Sequence, residues 1–250
     1  MEKSYTKIFC GMKTEFQNNN IIAIVPVRAG SRGLPGKNTL PVNGLPLYMH
    51  AVNQGLRTVG KVLLSTDIKS IANVHLPNGC TLCWRPPELS TFDTPMVSVI
   101  QHLIEDCALS SHRIVLLQAT SPLRLDGDIL AALKLFSQGQ YDLVMSVVKQ
   151  DSGVLKYGTL NGATFRAMRE QNLCFANRQQ LPTVHGPNGA VYVFEADHFT
   201  EQQSFPSQRI GAVEMPKERS VDIDTMDDLL YVEEYFRLRS VVENSDGNGE

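Results

Sequence analysis

The stretch Ile21-Ile-Ala-Ile-Val-Pro-Val27-Arg28-Ala-Gly30-Ser31-Arg32-Gly33-Leu34-Pro35-Gly36-Lys37-Asn38 decides the fold. Ile21 to Val27 is apolar on both alternating faces and rich in β-branched residues, the pattern of a strand buried in a parallel or mixed sheet. The strand runs straight into a basic, glycine-rich loop. Gly30, Gly33 and Gly36 let a backbone turn tightly and approach a ligand closely. Arg28, Arg32 and Lys37 surround that turn with positive charge, and free backbone N–H groups beside cations suit a polyphosphate. Spacing excludes two common phosphate loops. A G-x-x-x-x-G-K-[ST] loop would need glycine at Ser31 and a hydroxyl at Asn38. The dinucleotide pattern G-x-G-x-x-G is replaced by glycines at every third position, and Pro35 interrupts any helix opening there.

Outward from this loop, a strand–helix rhythm fills the first 150 residues or so. Helices are expected over Leu47 to Leu56, Pro95 to Cys107 and Asp128 to Phe136. Strands are expected over Lys61 to Ser65, Thr81 to Trp84, Ile114 to Leu117 and Asp142 to Val148, then Ala190 to Phe194 and Ile210 to Met215. This alternation predicts an α/β fold: an open, mostly parallel (mixed) sheet with helices on both faces. Ligands in such sheets sit beyond the carboxyl ends of the strands. Gly30, Asp67, Arg85 and Gln118 all fall at or just past such ends. From 149 to 180 the pattern loosens into short stretches punctuated by Gly153, Gly158 and Gly162, which read as an insertion of hairpins. A last helix runs from about Thr225 to Arg239, with Thr225 and Asp228 at N-cap and N3 spacing. The expected organisation is a flexible extension over 1–20, one domain over 21–240 and a disordered tail over 241–250.

The chain has 250 residues, a net charge of −3 and 20% charged residues. That balance carries no footprint for nucleic acid or an anionic membrane, so an anion must be captured locally. No apolar run approaches the ~20 residues of a membrane span, and the start lacks the apolar core of a signal peptide. A cytoplasmic location is therefore expected. Five cysteines make no disulfide framework. Cys80-Thr-Leu-Cys83 is a C-x-x-C, but in a strand positions three apart face opposite ways, and no second pair completes a zinc set in the sequence.

Several motifs, in order, resemble the cytidylyltransferases that activate sialic and related nonulosonic acids, the CMP-N-acylneuraminate synthetases. They are Arg28 to Asn38, Ser65-Thr66-Asp67, Arg85-Pro-Pro-Glu-Leu89, Leu117-Gln118-Ala-Thr-Ser-Pro-Leu-Arg124, Arg178-Gln-Gln-Leu-Pro182, Asn188-Gly-Ala-Val-Tyr192 and Ser220-Val-Asp222-Ile-Asp224. The resemblance covers about residues 20 to 238. It implies a nucleotide-diphospho-sugar transferase-like fold and cytidylyl transfer from CTP to the anomeric hydroxyl of a sugar acid. It also implies a homodimer made through segment 149–180. Nucleotide-binding residues would be Arg28, Gly30, Ser31, Arg32, Gly33, Lys37, Asn38 and Arg85. Gln118, Gln179, Asn188 and Tyr192 would contact the sugar acid. Arg28, Lys37, Arg178, Asp222 and Asp224 would be catalytic. A CMP-Kdo synthetase-like enzyme and an inactive nucleotide-binding sensor are the alternatives.

Asp222-Ile-Asp224 is also an acidic pair by its own chemistry. Residues two apart in an extended segment project to one side, and adjacent carboxylates are costly unless a cation or proton compensates. Magnesium favours carboxylate oxygens together with substrate phosphates, so Asp222 and Asp224 are the expected metal ligands. Many family members carry an aromatic residue and an arginine where this chain has His185 and Gly186. Glycine cannot grip a carboxylate as a guanidinium does, and a roomier, less basic sugar pocket is expected. Near Asp93, Thr94 or Ser98 would replace serines that the family places beside the nucleotide.

Overall fold

The computed structural model describes residues 20–30 and 33–246. Most of the expected N-terminal extension, Ser31 and Arg32 therefore lie outside the described residues. The first strand is β1 (Ile21–Val27). A small hairpin, β2 (Pro41–Val42) and β3 (Leu45–Pro46), turns at Asn43-Gly44, both with positive φ, the geometry a tight two-residue hairpin needs. Next come α1 (Leu47–Thr58), β4 (Val62–Thr66), β5 (Cys80–Trp84), α2 (Met96–Asp106), β6 (Arg113–Leu117), α3 (Asp126–Phe136) and β7 (Leu143–Gln150). The hairpin β8 (Gly158–Asn161) and β9 (Thr164–Ala167) stands apart. It is followed by β10 (Val184–Glu195), α4 (Ala196–Gln202), β11 (Ile210–Glu214) and α5 (Met226–Asp246).

Seven strands form one sheet in the order β11-β7-β10-β6-β1-β4-β5. The β6-β1-β4-β5 side is parallel throughout, β10 runs antiparallel to both β6 and β7, and β11 is parallel to β7. The mixed, mostly parallel sheet expected from the sequence is thus present.

Alternation along β1 divides the core. Ala23, Val25 and Val27 pack with Ala51 and Val52 of α1 and Leu130 and Leu133 of α3. Ile24 faces Val99, Ile100 and Leu103 of α2 and Phe199 of α4. Gly55 lets α1 settle on the sheet: a Cβ there would stand 2.8 Å from Val62 and 3.0 Å from Ala23. A third cluster joins Leu34, Val42, Leu47, Leu123, Ile223 and Val232. It locks the glycine loop, the β2–β3 hairpin and α5 together, and so fixes where loop and acidic pair meet.

Two boundaries differ from expectation. β10 is twelve residues long rather than the five of Ala190 to Phe194. Its first part, with Gly186 and Pro187, gains strand character by pairing with the end of β7 across a register shift, which no local alternation announces. At the C-terminus, α5 continues to Asp246, so 241–246 are helical rather than part of a disordered tail. Pairs such as Glu234–Arg237, three apart on one face, support a helix that lacks a breaker. Residues 247–250 lie outside the described residues. Segment 149–180 holds the β8–β9 hairpin and short 3-10 turns at Ser152–Lys156, Gln171–Phe175 and Arg178–Gln180. Cys80 and Cys83 do face opposite sides of β5, one against each main cluster. No helix among the described residues is long and apolar enough to cross a membrane.

Candidate active site

Beyond the carboxyl ends of β1, β4, β5 and β6 lies a cleft of about 570 Å³. Arg28, Gly30, Gly33, Lys37, Asn38, Arg85, Gln118, Asp222 and Asp224 all line it. These residues come from segments nearly 200 positions apart in the chain. The sheet brings them together because each follows a strand whose carboxyl end points the same way.

The glycine loop is held from three directions. Ala29 donates its N–H to Asp67 Oδ1 at 2.8 Å, tying β1 to the end of β4. Asn38, 6% exposed, donates from Nδ2 to the Arg28 carbonyl at 3.0 Å and closes the loop on itself. Gly33 packs on the backbone of Asp224 so closely that a Cβ would collide with its carbonyl oxygen. Glycine at 33 is therefore required by the contact between the loop and the acidic segment.

The cations are oriented. Arg28 donates from Nη1 to the carbonyls of Phe92 (3.0 Å) and Thr91 (3.3 Å), with its guanidinium 5.0 Å from the Phe92 ring centre. Lys37 donates from Nζ to Asp224 Oδ1 and to the Ile223 carbonyl, both at 2.6 Å. Arg85 is buried and donates from Nη2 to the Ser65 carbonyl at 3.1 Å and from Nε to Ser65 Oγ at 3.3 Å. Burial draws the Arg85 guanidinium down, the Asp67 carboxylate opposes this, and the charge of Arg28 adds to it. Repulsion between Arg28 and Arg85 marks a place where an anion would be favourable.

The acidic pair has the alternation its spacing demands. Ile223 is fully buried in the third cluster, so Asp222 and Asp224 turn the other way, into the cleft. Burial pushes the Asp222 carboxyl up; a hydrogen bond with Thr120 draws it back, and the Asp224 charge raises it again. Thr120 also accepts the Ile223 N–H through its carbonyl at 2.9 Å. The segment is fixed from behind by the start of α5. Asp228 Oδ2 accepts from the backbone N–H groups of Asp224 (3.1 Å) and Thr225 (2.8 Å), while Thr225 Oγ1 accepts from the Asp228 N–H at 3.3 Å. This is the reciprocal N-cap and N3 arrangement expected from the sequence. Two carboxylates side by side in an open cleft fit a hard divalent cation that completes its sphere with phosphate oxygens and water.

Other expected residues lie elsewhere. Asn188 is buried and off the cleft. Its Oδ1 accepts from Ser146 Oγ (2.6 Å) and the Ala190 N–H (3.2 Å), and its Nδ2 donates to Ser220 Oγ (3.0 Å) and Met215 Sδ (3.3 Å). With all four amide positions used internally, it braces β10 against the segment leading to Asp222. Tyr192 is half-buried against Phe205, and burial followed by the Asp222 charge raises its phenol. Arg178 and Gln179 sit in the insertion and do not line the cleft of their own chain; Arg178 is exposed and pairs with Asp151 at 3.1 Å. His185 meets Glu214 at 3.3 Å, and Gly186 faces Gln150. Thr94 lines the cleft, whereas Ser98 faces a separate depression on α2.

Three participants carry no role in the sequence reading. Phe92 forms cleft wall, with no local signal. Thr120 and Arg124 lie within the Gln118 to Arg124 motif. Arg124 is fully buried, donating to the carbonyls of Gln118 (3.2 Å) and Ala190 (2.6 Å) and to Gln54 Oε1. It fixes the loop that presents Gln118. An arginine that cannot reach solvent is not recognisable from sequence alone.

Residues 22–245 match the family model described as Cytidylyltransferase. The N-acylneuraminate cytidylyltransferase of Streptococcus agalactiae is 31% identical over 84% of this chain and 52% of its own length. The chain belongs to the cytidylyltransferase family. It spans about half the length of that streptococcal relative. The CMP-N,N'-diacetyllegionaminic acid synthase of Legionella pneumophila is 27% identical over 87% of this chain and 97% of its own length. Among solved structures, a CMP:2-keto-3-deoxy-manno-octonic acid synthetase complexed with CTP superimposes with a TM-score of 0.67 at 14% identity, covering 88% of this chain and all of that one. At that identity the likeness establishes the fold, which is the nucleotidyltransferase α/β fold expected for a cytidylyltransferase of this family.

Proposed function

We propose that the chain transfers the cytidylyl group of CTP to the anomeric hydroxyl of a nonulosonic, sialic-type acid, giving a CMP-sugar and pyrophosphate. The observation that carries this reading is the meeting of the glycine–Lys37 loop and the Asp222/Asp224 pair on one cleft. The anomeric hydroxyl attacks the α-phosphorus in line, and pyrophosphate departs from the opposite side. Such transfers depend on positioning and charge stabilisation rather than on a covalent intermediate. Arg28, Arg32 and Lys37, with the backbone of Gly30, Ser31 and Gly33, hold the phosphates. Asn38 keeps the loop closed around them, and Arg85 lies at the nucleotide end. Gln118 offers a donor and an acceptor to the sugar acid. Asp222 and Asp224 hold a divalent cation, for which magnesium is the best match to oxygen ligands. Bound there, it would supply charge neutralisation to phosphate and sugar oxygens.

Arg178 and Gln179 take part across a subunit boundary, which ties their role to a homodimer. Tyr157, Leu160, Met168 and Phe175 in the insertion are 63%, 74%, 69% and 85% exposed. Such a concentration of exposed apolar side chains supports a second copy as the partner. Free thiols at Cys80, Cys83, Cys107 and Cys174 support a cytoplasmic location. Tyr192 and Asn188 act from behind the cleft, shaping it.

The test is pyrophosphate release from CTP, UTP, ATP and GTP, each with a set of 2-keto sugar acids including N-acetylneuraminate, other nonulosonic acids and Kdo, with magnesium present. Turnover restricted to CTP with nonulosonic acids is expected. Turnover with Kdo alone would move the chain to the Kdo reading, and CTP binding without turnover on any acid would make it a sensor.

A further inference from the structure

The edge strand β5 and helix α2 bring together three side chains that the proposed activity does not use, with a fourth, Cys107, beside one of them. One ligand atom each from Cys83, His102 and Asp106 lies within 4.8 Å of the others. Among the described residues this is the one group of three or more His, Cys, Asp or Glu side chains so placed. Cys107, at the C-terminal end of α2, sets its Sγ 3.6 Å from that of Cys83. Two thiolates on one tetrahedral zinc, with bonds near 2.3 Å, stand about 3.8 Å apart. His102 and Asp106 are four residues apart on one face of α2. The Nε2 atom of His102 is buried and has no hydrogen-bond partner, a condition that coordination would relieve. Asp106 Oδ2 lies 3.9 Å from Cys83 Sγ and is exposed, leaving an approach from solvent.

We propose that Cys83, His102, Asp106 and Cys107 form a structural site for a zinc-class divalent cation, distinct from the acidic pair in the cleft. Two sulfurs and an imidazole favour zinc or cobalt over magnesium or calcium. Binding displaces the two thiol protons to solvent, with no redox change. The site clamps the end of β5 to α2. Arg85 follows Cys83 by two residues, and Met96 and Val99 of α2 line the cleft, so the clamp holds the nucleotide end of the cleft. The C-x-x-C of Cys80 and Cys83 conceals this site in the sequence: the partner of Cys83 is Cys107, 24 residues on, while Cys80 faces the other side of the sheet.

The test uses the full chain, stripped with chelator, kept reduced under argon and titrated with Co²⁺. One thiolate-bound cobalt per chain is expected, read from a sulfur-to-cobalt charge-transfer band and d–d bands of tetrahedral intensity that Zn²⁺ bleaches. Asp224→Asn should leave these bands unchanged, separating this site from the cleft. Cys107→Ser should weaken binding by about 100-fold or more, beyond the 10–100-fold typical of losing a partner outside the ligand sphere. His102→Gln, on a partly exposed position, gives a second variant if Cys107→Ser misfolds, and should likewise weaken binding. Absence of the charge-transfer band in the reduced parent, or a band that survives unchanged in both His102→Gln and Cys107→Ser, would overturn the proposal.

Discussion

Lys37 ties the loop to the acidic pair, through Asp224 and the Ile223 carbonyl. In the proposed reaction its charge acts on the phosphates. Losing one such contact costs about 2.7–4 kcal/mol of transition-state stabilisation. Lys37→Ala should therefore lower kcat by ~10²–10³-fold, with near-unchanged circular dichroism; turnover within about threefold of the parent would remove Lys37 from the machinery. Asp222 makes a prediction of opposite sign for stability. Its carboxyl is raised by burial and by Asp224, so the folded chain binds a proton more tightly than the unfolded chain does. Between the ordinary carboxylate value and the raised one, folding stability falls as pH rises. Under chelator at neutral pH, Asp222→Asn should melt higher than the parent while losing activity. A lower melting temperature for that variant would contradict the charge repulsion between the two carboxylates.

At the scale of elements, the start of α5 is as much part of the site as the loop. Its cap fixes the Asp224 N–H through Asp228, and its Val232 packs with Ile223 beneath the acidic pair. Thr225→Ala removes the capping hydroxyl. The expected loss is about 1 kcal/mol, or roughly 2–4 °C in Tm for a domain of this size, measurable by calorimetry. Activity should fall by more than that loss of folded protein explains, because the carboxylates lose their support. Equal activity at a lowered Tm would mean that Gly33 and Lys37 suffice to hold Asp224.

At the scale of the whole molecule, the insertion turns a group of large apolar side chains outward. Leu160 and Phe175 are among its most exposed. If the homodimer forms there, Leu160→Asp with Phe175→Asp should convert a dimer to a monomer in light scattering. The same pair should also lower turnover, since Arg178 and Gln179 lie off their own chain's cleft. A parent that is monomeric at micromolar concentration and fully active would end both the dimer and the cross-subunit role.

The sequence by itself determined what is local and periodic. Ile21 to Val27 announced a buried strand, the glycines every third residue announced a tight basic loop, and Thr225 with Asp228 announced a helix start. Alternation around Ile223 also set Asp222 and Asp224 on one side, because strand geometry leaves no other choice. Part of the assembly of the cleft was legible too, since Gly30, Arg85 and Gln118 each fall just past a strand of one sheet. Only the tertiary structure decided matters that depend on distant partners. Asn188, read as a substrate contact, has every amide position taken by Ser146, Ala190, Ser220 and Met215. The first half of β10 is a strand because β7 is beside it. Arg124 is buried because carbonyls of Gln118 and Ala190 await it. Cys83 meets Cys107 rather than Cys80 because the sheet separates the nearer pair and helix packing joins the farther one. A side chain's hydrogen-bonding capacity is written in its type, but which partner consumes it is settled only when the chain closes on itself.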